Sequence, residues 1–210
     1  MSHDWYRRTT WTQEDQTAFF DRLNRSKGQY HKAQYLRIQA SYLEDDYPDE
    51  ALSLLSMVLN DFSEPSEMSQ TFLQKAHCLI SLSKTTEVIK VFRDVLAYEK
   101  MYPKYKTQGY LDFPIFIIAH KKTELYPEAK DILLSHEDRL MFPIDYYRYH
   151  TVLAVIEWQN ENIDNAKSHV AQAKKVATQK HSGFRYHPSV GLIKEKDVEI
   201  QKLFRDIEEA

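Results

Sequence analysis

Glycine supplies only 4 of the 210 residues, about 2% where roughly 7% is typical. Glycine serves tight turns, sheet bulges and phosphate-cradling loops. The four present, Gly28, Gly109, Gly183 and Gly191, stand far apart. A Gly-rich phosphate loop is excluded, and helices joined by short connections are favoured. Cysteine occurs once, at Cys78, which rules out an internal disulfide and fits a reducing compartment. Long hydrophobic runs are missing too. The longest, Phe113 to Ala119, falls far short of a membrane span, and the opening "MSHDWYRRTTW" has no apolar core of signal-peptide length. Neither charge sign dominates: 28 Lys+Arg against 31 Asp+Glu leave a net −3, so no global field draws the chain to nucleic acid or a membrane surface. With 42% hydrophobic residues it can bury a sizeable core. The expectation is a soluble cytoplasmic protein forming one domain over residues 1–210.

What is present repeats. "DYPDEALSLL" (Asp46 to Leu55) returns as "LYPEAKDILL" (Leu125 to Leu134). Proline lacks a backbone N–H and has its φ preset to a helical value, so it favours the first turn of a helix, and an acidic neighbour complements the helix dipole. Pro48-Asp49-Glu50 and Pro127-Glu128 therefore predict helix starts. Behind them Ala51/Leu54/Leu55/Val58 and Ala129/Ile132/Leu133 recur at helical spacing. Another helical stripe precedes each, Leu36/Ala40/Leu43 and Phe116/Ala119. The unit is helix, short turn, helix. Its small residue early in the second helix recurs at Ala51, Val88, Ala129 and Ala166, at intervals of 37, 41 and 37 residues.

In this pattern the chain resembles the tetratricopeptide-repeat family: large, small four later, large three further on, small nine later, then an apolar residue four beyond. Phe72, Ala76, Leu79, Val88 and Phe92 fit throughout. Leu36, Ala40, Leu43, Ala51 and Leu55 fit with a gap one residue short. In the fourth copy, His150, Ala154, Glu157, Ala166 and Val170, a glutamate replaces a large apolar residue. The third, Phe113, Ile117, His120, Ala129 and Leu133, has Ile at a small position, and Pro114 should shorten or kink its first helix. The periods exceed the family's roughly 34 residues. The resemblance implies an all-α, right-handed α-α superhelix of about four helix pairs over 33–178, capped by 1–32 and 179–210. Short side chains let paired helices approach, and stacked pairs share a core whose ends need covers. Thr12 with Asp15 predicts an N-cap leading into Ala18, Phe19 and Leu23, with Trp5, Tyr6 and Trp11 covering the first pair. Leu192, Val198, Leu203 and Ile207 predict the apolar stripe of the last helix. Ser63-Glu64-Pro65, Tyr102-Pro103 and Phe142-Pro143 read as punctuation between pairs.

Catalytic and metal motifs are not legible. The nine histidines form no HExxH and no i, i+4 pair; there is no CxxC, and adjacent His77 and Cys78 point to different parts of a helix. Cys78 reads as a small buried apolar residue. No enzyme activity, cofactor or metal is expected. What remains is surface recognition. The resemblance implies that the first helix of each pair lines a concave face: Gln34, Arg37, Ser41 and Glu44; Gln70, His77 and Ser81; Lys121 and Lys122; Arg148, Thr151, Trp158 and Gln159. Amides and arginines there could grip an extended peptide, with Trp158 as an apolar anchor. Two Tyr-rich stretches, Tyr98 to Phe113 and Phe142 to His150, read first as rings filling gaps between pairs. Lys100, Lys104 and Lys106 leave a weaker option of stacking single-stranded RNA. The function expected is a protein-binding adaptor, toxin neutralisation or effector service being special cases. A homo-oligomeric structural module and a small-molecule or RNA-binding repeat protein are the alternatives.

Overall fold

Several helices start where proline or a side-chain cap resolves the orphaned N–H groups of the first turn. Thr12 and Asp15 form a reciprocal capping box: Asp15 N–H donates to Thr12 Oγ1 at 3.2 Å and Thr12 N–H donates to Asp15 Oδ2 at 3.1 Å. Hydrogen bonds from Thr10 and Thr12, with Arg8 also donating, pull the Asp15 carboxyl down to about 2. Pro48, Pro65, Pro127 and Pro143 each stand in the first turn of a helix. The computed structural model describes residues 4–194 and 197–210; residues 1–3 of the expected N-terminal cap and 195–196 of the C-terminal one lie outside the described residues. Within them the chain is all-helical. The helices are α1 (Gln13–Arg25), α2 (Gln29–Ser41), α3 (Pro48–Asp61), α4 (Pro65–Ser81), α5 (Thr85–Met101), α6 (Gly109–Ala119), α7 (Tyr126–Ser135), α8 (Pro143–Gln159), α9 (Ile163–Val176) and α10 (Val198–Glu209). Short 3-10 turns occur at Thr123–Leu125 and Glu137–Arg139. No described helix is long and apolar enough to cross a membrane.

The chain divides into two compact units, Met1–Gly109 and Tyr110–Ala210. In the first, α2 packs on α3, α3 on α4 and α4 on α5, and α2 also touches α4, the opening helix of the next pair. Its core joins Phe19, Leu23, Leu36, Leu43, Leu55 and Cys78. Trp11 is buried, and Trp5 meets Phe19 at a tilt and Tyr35 edge-on, at centroid distances of 5.4 and 4.9 Å. Trp5 and Tyr6 are partly buried against this core. Buried Gln39 accepts from Arg8 N–H at 3.0 Å and donates to the Arg8 carbonyl at 2.8 Å. Part of the first Tyr-rich stretch packs ring against ring. Tyr98 lies against Phe72 and Tyr102 at 5.7 and 4.7 Å between ring centres. The loop that follows is closed by buried Glu99, which accepts from Thr107 N–H and Oγ1 at 2.7 and 2.6 Å. Lys100, Lys104 and Lys106 are exposed.

In the second unit α7 packs on α8, α8 on α9 and α9 on α10. Tyr147 and Tyr149 of the second Tyr-rich stretch are buried, and Tyr147 meets Phe204 edge to face at 6.3 Å. The apolar stripe of α10 runs through Ile200, Leu203, Phe204 and Ile207. Leu203 and Ile207 are the expected members. Val198 is 77% exposed and Leu192 precedes the helix, because the helix begins only after the Asp197 cap, whose carboxylate accepts from Glu199 and Ile200 N–H at 2.8 and 3.1 Å. Gly191, at φ 64, anchors the preceding loop to the start of α8. Its carbonyl accepts from Ile144 N–H at 2.8 Å, and a Cβ there would come 2.4 Å from Phe142.

The four marker residues occupy equivalent places. Ala51, Val88, Ala129 and Ala166 are each the fourth residue of their helix and each fully buried. One turn geometry recurs as well. Ser83, Lys121 and Glu161 adopt left-handed φ values of 57, 51 and 59°. The residue after each returns its N–H to a carbonyl near the end of the preceding helix: Lys84 to Leu79 at 2.9 Å, Lys122 to Ile117 at 3.0 Å, Asn162 to Glu157 at 2.9 Å. This is the Schellman closure. The longer interval before Ala129 is taken up by the 3-10 turn Thr123–Leu125 between α6 and α7. Pro114 lies inside α6, and that helix has 11 residues where α4 and α8 have 17.

Candidate functional site

The residues singled out on the first helices fall into different environments. In the first unit Arg37 on α2 donates Nε to Glu67 on α4 at 2.5 Å. The Glu67 side chain is almost wholly buried while Arg37 is about one-fifth exposed. The pair therefore ties two first helices together and leaves Arg37 only an edge to offer a ligand. Glu44 is half-buried; its Oε2 is shielded and receives no hydrogen bond. Burial raises its carboxyl above the ordinary range, while the charge on His77 pulls it back. His77 on α4 is partly exposed, and Ser81 at the end of that helix is exposed. Beside them Cys78 is fully buried, and burial together with the Glu44 charge pushes its thiol up to about 12. It is a packing residue, as its sequence context implies.

In the second unit Arg148 on α8 reaches Asp112 on α6 at 3.3 Å, both side chains partly exposed. Trp158 is partly buried against the core of α8, α9 and α10, and Gln159 is exposed. Two expectations need correction. Thr151 is buried at 2% exposure and cannot line an open face. Lys121 and Lys122 do not stand on a first helix. α6 ends at Ala119, so Lys121 takes the left-handed turn position and Lys122 the closing one.

Sequence reasoning missed two constellations because each joins neighbouring helices. Glu157, the residue that breaks the apolar pattern, is buried and accepts from Lys130 Nζ on α7 at 2.6 Å and from Asn162 Nδ2 at 2.8 Å. These bonds, Lys130 first, hold its carboxyl below the usual range. An ion pair thus joins α7 and α8 at the position where the repeat pattern expects a large apolar residue. His150 on α8 and His169 on α9 bring their Nδ1 atoms within 3.0 Å. Burial pushes the His150 imidazole down to about 4, with the His169 charge adding to the effect, and burial lowers His169 too. Among the described residues no three His, Cys, Asp or Glu side chains gather as metal ligands.

The arrangement can offer polar and aromatic contacts along helix faces: Gln34, His77, Arg148, Trp158 and Gln159 keep exposed surface. Searches against family models, curated proteins and solved structures returned no match to this chain.

Proposed function

We propose that the chain is a tetratricopeptide-like repeat protein acting as a protein-binding adaptor. In this reading the first helices of the pairs present the contact surface for an extended peptide or a partner domain. The observation that carries it is recurrence: one buried small residue at the same helix position in four pairs, and one turn geometry in three of them. A pair of this kind cannot bury its apolar face alone, and stacked repeats create the extended concave surfaces that such proteins use for recognition. The surviving contact residues are His77 in the first unit and Arg148 and Trp158 in the second, with Arg37 and Glu44 contributing edges. Arginine and tryptophan are the types that dominate binding energy at protein interfaces. Peptide amides and carboxylates suit the exposed amide and guanidinium groups.

The test is affinity capture from the native host with the wild type and with His77→Ala, Arg148→Ala and Trp158→Ala combined. The expected result is a captured protein that the triple variant loses, with the variant's far-UV circular dichroism unchanged. Equal capture by both chains removes the contact assignment. A chain that scatters light as a dimer or larger, and captures nothing, replaces the adaptor by a self-associating module.

A further inference from the structure

The joint between α8 and α9 contains two histidines whose rings meet. His150 Nδ1 and His169 Nδ1 lie 3.0 Å apart, with ring centres 5.3 Å apart. A contact between two imidazole nitrogens at that distance is a hydrogen bond only if one is protonated and the other carries a free lone pair. Two imidazolium ions would place N–H against N–H. Both rings are half-buried, so water screens that repulsion only in part.

We propose that the His150–His169 hydrogen bond is an acid-sensitive clasp between α8 and α9, which holds while both rings are neutral and opens when both take up protons. The neighbouring charges do not rescue the protonated pair. From α7, Lys130 opposes charge on His169; from α8, Glu157 favours it, but that carboxylate is already engaged by Lys130 and Asn162. Tyr149 turns its ring edge-on to His150 at 5.2 Å and supplies no charge at neutral pH. From α10, Glu208 pairs with Lys174 of α9 at 2.5 Å, more than a helical turn further along α9 than His169.

The direction follows from linkage. The unfolded chain protonates these histidines from near the ordinary value of 6.5, whereas folded His150 holds out to about 4. Between those values the unfolded state binds more protons. The stability that the half-buried pair contributes while neutral, through burial first and the mutual repulsion of the two rings second, is complete above the ordinary value and is lost as pH falls toward about 4.

Urea unfolding of the full chain at about pH 7.5 and about pH 5.5 measures this. The folded-to-unfolded ratio of the wild type should fall about tenfold more than that of the His150→Asn/His169→Asn chain. An equal fall in both overturns the clasp. Nitrogen-15 NMR of the wild-type imidazoles gives a readout that does not depend on the variant folding. One Nδ1 protonated and one unprotonated at neutral pH, with both rings resisting protonation at about pH 5.5, supports the clasp. Ordinary titration of both rings near about 6.5 refutes it.

Discussion

Cys78 and Glu44 are neighbours in electrostatics although they stand on different segments, and each carries its own prediction. The thiol is fully buried and pushed up to about 12, so almost no thiolate exists at neutral pH. The native chain should resist a thiol reagent, and labelling should follow unfolding in urea; rapid stoichiometric labelling without denaturant would show the site to be open. Glu44 keeps a shielded oxygen without a hydrogen bond. An acid whose folded pKa is raised destabilises the fold while it is ionised, and that cost disappears as pH drops below the ordinary value of 4.5. Glu44→Gln should therefore raise the melting temperature at neutral pH, with a gain that shrinks toward pH 4.5. A variant less stable than wild type at neutral pH would mean that the attraction to His77 outweighs desolvation.

Turns and helix contacts form the next scale. Ser83, Lys121 and Glu161 hold left-handed φ values that cost a side-chain-bearing residue about 1 kcal/mol. Glycine adopts them without steric penalty but loses more freedom on folding. Each single change to glycine should stabilise by about 0.5 kcal/mol, read as a higher urea midpoint with an unchanged slope. Ala166 works in the opposite sense. It is fully buried in the cluster with Tyr147, Ala154 and Val170, so Ala166→Leu forces extra methylenes between α8 and α9 and should destabilise by about 1–3 kcal/mol. The same change at exposed Ala171 on α9 should leave stability within about 0.5 kcal/mol. Equal effects at the two sites would contradict the close helix approach.

At the scale of the whole molecule the chain holds two compact units, each with its own buried cluster. A cavity in one should act first on that unit. Leu36→Ala removes a fully buried side chain from the first at a cost of about 2–5 kcal/mol. Hydrogen exchange should then quicken in α2, α3 and α4 ahead of α8 and α9. Uniform acceleration in both units would show that they open together.

The local features of the fold were readable along the chain because each depends on residues a few positions apart. The first-turn prolines Pro48 and Pro127 and the Thr12/Asp15 cap belong to single helices, and they appear where the spacing places them. Tertiary packing decided which side of a helix meets water and what lies across from it. α8 buries most of its circumference, so Thr151 turns inward although it lies three residues from partly exposed Arg148. α6 stops before Lys121, which moves two cations from a helix face into a turn. The Glu157–Lys130 and His150–His169 contacts join separate helices, and helical periodicity, which relates only positions on one helix, carries no information about either.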